Sequence, residues 1–154
     1  SIEYMKNTIS FNTKFGWISA TEINQKITKI QFIKVKNTGV FSKNLKNLRR
    51  YFLAYFQGNI KTLKAPIKII GNSTQRKIWN ELKKIPKGET KSYGNIAKRL
   101  KMSPRYVGRV CGENKLVLIV PCHRVIKSDG SLGGFSATEG VKLKERLLNF
   151  EKIS

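Results

Sequence analysis

Apolar and polar positions alternate along the first forty residues. Thr8-Ile9-Ser10-Phe11, Gly16-Trp17-Ile18-Ser19-Ala20 and the run from Ile27 to Val35 step roughly in twos and favour β-branched and aromatic residues. They predict three strands, with Asn12-Thr13-Lys14 and Glu22-Ile23-Asn24-Gln25 as hairpin connections. From Ser42 the period lengthens, with Leu45, Leu48, Phe52 and Tyr55 about one turn apart and Gly58 as a stop. This predicts an amphipathic helix, capped by Ser42, that covers one face of the sheet. Residues 58–72 read as a connector, punctuated by Ala65-Pro66 and Gly71-Asn72-Ser73. The pattern predicts an α+β chain, with an N-terminal sheet-plus-helix lobe over residues 1–70 and a mainly helical lobe over 71–154.

The second lobe is periodic in a different way. A helix starting near Ser73 or Thr74 places Ile78, Leu82 and Ile85 on one face with Trp79 beside them, and Pro86-Lys87-Gly88 ends it. A short helix from Ser92 carries Tyr93, Ile96, Ala97 and Leu100 on one stripe. Ser103-Pro104 then opens a third helix, Ser as cap and Pro at the first helical position. Two short helices on a tight turn predict a helix-turn-helix. On the third helix Arg105, Gly108, Arg109 and Gly112 share the outward stripe, and Val107, Val110 and Cys111 face the core. Two glycines on one helical face imply a close approach, either by another helix or, given the arginines, by a phosphate backbone. Lys115 to Val120 predicts a buried strand-like segment, Lys127-Ser128-Asp129-Gly130 a turn, and Gly133-Gly134 a loop lining a pocket. A last helix runs from Val141 to Phe150, with Leu143, Leu147 and Phe150 inward and Glu151 as a solvated carboxylate at its end.

Charge changes the picture. Lys+Arg number 31 against 9 Asp+Glu, a net of +22, and such a field attracts polyanions, nucleic acid first among them. No apolar run approaches the ~20 residues that span a membrane, and the first residues show no signal-peptide core. The expected setting is the cytoplasm of a prokaryote or the nucleus of a eukaryote, without membrane association. Two cysteines, Cys111 and Cys122, and one histidine, His123, are too few for a usual four-ligand zinc site, so no metal and no cofactor are expected.

The candidate chemistry lies in Pro121-Cys122-His123-Arg124-Val125, where the one histidine adjoins a cysteine. A thiol reacts as its thiolate, which a nearby cation or proton acceptor favours, and His123 or Arg124 could supply either. On an extended chain neighbours point to opposite faces, so contact between Cys122 and His123 needs a bridging water or a tight turn. A packed, inert pair is the alternative.

Taken together the motifs resemble the O6-alkylguanine-DNA alkyltransferase family, the methylated-DNA–protein-cysteine methyltransferases. The resemblance rests on Pro121 to Val125, Ile85 to Thr90, Ser92 to Ala97, Arg105 to Gly108, Asn114, Gly134-Phe135-Ser136, and Lys144 to Leu148 with Glu151. It covers about residues 73–151. It implies a ribonuclease H-like first lobe and a winged-helix-like second one. It also implies direct-reversal repair of duplex DNA by a monomer: O6-alkylguanine is flipped out through the minor groove and its alkyl group passes once, irreversibly, to Cys122, with O4-alkylthymine left open as a second substrate. By the same resemblance His123, ordered by Glu151, takes the thiol proton through a water. Arg105 fills the vacated stack, and Tyr93 contacts the flipped base. Backbone groups near Cys122 and Val125 bond the guanine, the Ser136 amide faces O6, and Asn114 ties the recognition helix to the cysteine segment. Tyr106, Gly108 and Lys144 fall among the residues facing DNA or substrate. Without the resemblance, Tyr93 reads as a core aromatic.

The chain departs from the family's pattern at Tyr106, usually small, at Lys115, usually proline, at Thr74, usually aromatic, and at Phe135, usually tyrosine. The segment Ala137 to Gly140 is about two residues longer than the family's pattern. Two other readings compete: a lesion sensor that binds without transfer, and an unrelated thiol hydrolase that turns over repeatedly.

Overall fold

The computed structural model describes residues 5–59, 62–135 and 140–153. The chain divides into two compact units, residues 1–69 and 70–154. No described helix is long and apolar enough to cross a membrane.

In the first unit, β1 (Lys6–Thr13), β2 (Gly16–Ile23) and β3 (Lys26–Gln31) form an antiparallel sheet in that order. The β2–β3 turn is tighter than the pattern predicts. Only Asn24 and Gln25 lie outside the strands, both with positive φ (48° and 67°), as a two-residue hairpin turn with matching twist requires. Glu22 and Ile23 therefore belong to β2, and Glu22 is buried, accepting a bond from Asn7 Nδ2 at 2.9 Å. The third strand stops at Gln31 rather than Val35. Beyond the Ser19–Gln31 pair the chain turns back beside β1, where Ser10 Oγ bonds both N and O of Val35 and Thr8 bridges Thr38. Alternation continues in the sequence there, but it does not record which strand takes the hydrogen bonds. Helix α1 (Lys43–Phe56) has Ser42 as N-cap, its hydroxyl accepting from Leu45 N. Its buried Leu45, Leu48 and Phe52 form the core with Ile9, Phe11, Ile18 and Ile30, and the Phe11 and Phe52 rings stack at 6.3 Å.

The second unit holds α2 (Ser73–Leu82), α3 (Tyr93–Leu100), α4 (Pro104–Gly112) and α5 (Val141–Ile153). The α2 cap is Asn72, in a reciprocal capping box with Gln75. The helix ends at Leu82, short of Ile85, which is buried all the same. Ser92 caps α3 and Ser103 caps α4 with Pro104 behind it, and Lys101 in the left-handed region makes the turn between them. Trp79 Nε1 donates to Val110 O at 3.1 Å, tying α2 to α4.

Two expectations fail in this unit. Lys115 to Val120 is not a strand: Leu118 takes a φ of +73°, Val120 N reaches back to Leu116 O, and Val117 bridges Val120. An apolar run is buried in either conformation, and its periodicity cannot tell a folded loop from a strand. Glu151 is also not a solvated end residue. Helix α5 continues to Ile153, and Glu151 is buried on its inner face.

Candidate active site

The folded 115–120 loop delivers Cys122 into a 3₁₀ turn, Cys122–Arg124, whose ends are held by Cys122 N to Val120 O and Arg124 N to Pro121 O. The chain then pairs as β5 (Val125–Ile126) in parallel with β4 (Lys91–Ser92), just before α3 begins. Asn114 organises the segment. Its Nδ2 donates to Val120 O at 2.8 Å and to Cys122 Sγ at 3.2 Å, and its Oδ1 accepts from Leu116 N. Asn114 thus joins the end of α4 to the cysteine segment.

Burial pushes the Cys122 thiol up, against the Asn114 bond and the Lys144 charge, which favour the thiolate. Burial, and then the charges of Arg124 and Lys144, hold His123 well below the usual imidazole range. The resting pair is therefore a thiol and a neutral imidazole. His123 is fully buried, its Nε2 2.9 Å from Glu151 Oε1. Arg124 grips the same carboxyl, Nε to Oε1 at 2.9 Å and Nη2 to Oε2 at 2.6 Å, while Nη1 bonds Ile85 O. Burial pushes Glu151 up, to about 8, and the two-pronged guanidinium opposes it by favouring the carboxylate. In its ionised form, which the Arg124 fork favours, Glu151 fixes Nε2 as the donor. Nδ1 is then the basic atom, and it is a buried nitrogen with no hydrogen-bond partner.

A pocket of about 560 Å³ opens over Cys122, lined by Tyr93 from α3, by Arg105, Gly108 and Cys111 from α4, and by Lys127 and the Gly133-Gly134 loop. Tyr93 is half-buried in its wall, not in the core. A Cβ on Gly133 (φ +74°) would lie 3.2 Å from Tyr93 Oη, and one on Gly108 3.9 Å from the ring. The glycines leave room for the ring in the wall, and burial pushes its hydroxyl up to about 12. Lys144 does not stand on the surface. It is fully buried, and its Nζ donates to the carbonyls of Val125, Leu132 and Gly134, with Tyr93 Oη at 3.4 Å. A side chain so enclosed cannot face DNA; it pins the pocket loop to the cysteine segment. Burial lowers it to about 8, still charged at neutrality.

The structure brings Tyr93, Arg105, Gly108 and Cys122 to the pocket and sets His123, Glu151 and Asn114 behind it. Val125 is buried, its carbonyl taken by Lys144. Tyr106 lies on the outer face of α4 with Arg109 stacked on its ring at 4.9 Å. Ser136 lies outside the described residues. Sequence reasoning missed two residues, Cys111 and Lys127, and the partner of a third. Arg124 stands within the motif, but its carboxylate partner is 27 residues away. Cys111 lies one turn beyond Gly108, on the shoulder between the two stripes of α4, and lines the pocket as well as the core. Lys127 is masked by the abundance of lysine. No cluster of three or more His, Cys, Asp or Glu that could hold a metal occurs among the described residues.

The family profile for the DNA-binding domain of 6-O-methylguanine DNA methyltransferase matches residues 73–153. The methylated-DNA–protein-cysteine methyltransferase of Sulfolobus acidocaldarius is 34% identical over 145 residues, 94% of this chain and 92% of that protein. That of Methanosarcina mazei is 38% identical over 122 residues, 77% and 76% of the two chains. Among solved structures, the O6-methylguanine methyltransferase of Mycobacterium tuberculosis superposes with a TM-score of 0.84 at 27% identity, over 96% of this chain and 93% of that one. The same organism's OGT in complex with DNA gives 0.81 at 27% identity, over 94% and 92%.

Proposed function

The chain belongs to the methylated-DNA–protein-cysteine methyltransferase family of alkyl-transfer DNA repair enzymes, and from that premise we propose that Cys122 takes the alkyl group of an O6-alkylguanine flipped out of duplex DNA. The observation that carries the reading is the Cys122 thiol, buried yet opening into a pocket, with the His123–Glu151 pair behind it.

The step balances without a cofactor. The proton of Cys122 Sγ passes, through a water, to His123 Nδ1, and Glu151 stabilises the imidazolium that forms. The Sγ–carbon bond forms as the carbon–O6 bond breaks, and the guanine anion takes up a proton to become ordinary guanine. A thioether has no ready leaving group, so each molecule reacts once. Tyr93 stands in the wall against the base. The target leaves the stack at a cost of a few kcal/mol, and Arg105, exposed on the first turn of α4, fills the space. The duplex approaches through its minor groove, α4 foremost, with a monomer per lesion. Tyr106 and Arg109, stacked on that face, contact the duplex beside Arg105.

The test is the intact mass of the protein after mixing with a duplex carrying one O6-methylguanine, followed by peptide mapping. A gain of one methylene on the Cys122 peptide, stopping at one per molecule, is the expected result. An unchanged mass with tight binding would make the chain a lesion sensor. C122A should bind the duplex and transfer nothing.

A further inference from the structure

The pocket over Cys122 carries side-chain cations from two directions. Arg105 lines it from α4 and Lys127 from the turn after β5, and no carboxylate lines it among the described residues. Arg105 has its place in the stack, which leaves Lys127 without a role.

Its backbone is held firmly while its side chain is exposed. Lys127 N donates to Ser131 O at 2.9 Å, and its carbonyl accepts from Gly130 N at 3.0 Å. Gly130 takes a φ of +88°, and Asp129 Oδ1 accepts from both N and Oγ of Ser131. The turn is packed against the start of α3, where a Cβ on Gly94 would lie 2.9 Å from Ser128 Oγ. The β4–β5 pairing fixes Ile126 to Ser92. The Lys127 backbone thus keeps a set distance from Cys122, and a long, hydrated point charge stands at the pocket rim.

We propose that Lys127 is a positioning residue that holds a backbone phosphate next to the flipped nucleotide. The proposal rests on the alkyl-transfer reading above. A base that leaves the stack carries its flanking phosphates toward the rim of the pocket that receives it. A lysine ammonium meets a phosphate oxygen without demanding one orientation, which suits a backbone that is rotating as it arrives. A contact of this kind acts by releasing a counterion, so its strength depends on salt.

The experiment compares wild type, Lys127→Gln and Lys127→Arg for the rate of Cys122 alkylation by a duplex with one O6-methylguanine, from 0.05 to 1 M salt. With a slope near 0.9 per neutralised phosphate, Lys127→Gln should be about eightfold slower at 0.1 M and equal to wild type at 1 M. Lys127→Arg should keep most of the rate. Duplexes bearing a neutral methylphosphonate on either side of the lesion supply the second arm. At the contacted phosphate, neutralisation should slow wild type to the Lys127→Gln rate, and Lys127→Gln should lose nothing more. A salt-independent loss would mean a merely structural role, and a wild-type rate, or full additivity at both flanking phosphates, would equally overturn the proposal. If wild type itself gains no mass, the alkyl-transfer reading fails instead.

Discussion

His123 Nε2 and Glu151 Oε1 lie 2.9 Å apart, 28 residues apart in sequence, with both side chains sealed from solvent. The contact fixes which imidazole nitrogen can accept a proton. His123→Gln removes the buried base while leaving a polar side chain of similar reach. The single-turnover rate of alkylation should fall by about 10²- to 10⁴-fold, with duplex affinity within a few-fold of wild type. A rate near wild type would show that Cys122 loses its proton by another route.

The same burial couples His123 to stability. Its folded value lies well below the usual range, because of burial first and then Arg124 and Lys144. An unfolded chain takes up a proton near pH 6.5 that the folded state refuses, so the contribution of this one group is held above that pH and lost as pH falls below it. The slope reaches at most about 1.4 kcal/mol per pH unit from this one group. Urea midpoints at pH 7.5, 6.5 and 5.5 should fall more steeply for wild type than for His123→Gln. Equal slopes would mean that His123 is protonated in the folded protein.

Arg124 should matter as much as the histidine it adjoins. Arg124→Met leaves the Glu151 carboxyl buried without its two-pronged partner and strands Ile85 O. Breaking one side of a buried pair costs about 3–5 kcal/mol, readable as a large drop in the urea midpoint, with slowed transfer at neutral pH. Arg124→Lys should recover part of both, since an ammonium can bond one carboxylate oxygen but not fork across two.

Gly133 and Gly134 are adjacent and should respond differently. At Gly133 a Cβ meets Tyr93 Oη at 3.2 Å and the backbone has a φ of +74°, whereas at Gly134 nothing among the described residues lies within 4 Å. Gly133→Ala should cost about 1 kcal/mol or more and slow transfer by displacing the tyrosine ring. Gly134→Ala should be close to neutral in both. Thermal melting and alkylation rates on the same lesion duplex check the pair.

Much of this was determined by the sequence itself, because local physics writes it there. The Ser42, Ser92 and Ser103 caps sit where their hydroxyls precede apolar periodicity, Pro104 stands at a first helical position, and Gly58 ends α1. The Pro121–Val125 motif marked the candidate nucleophile, and Gly133-Gly134 marked the pocket loop. Only tertiary structure decided the partners. Lys144 has the composition of a surface residue, yet three backbone carbonyls draw its ammonium inside. Glu151 reads as solvated until α5 lays it across the 3₁₀ turn against His123 and Arg124. Lys115 to Val120 spells burial and leaves the conformation open, because hydrophobicity specifies that a segment leaves water but not its path. Charge, burial and proton affinity at this site depend on contacts between residues far apart in the chain, and those distances come into being only when it folds.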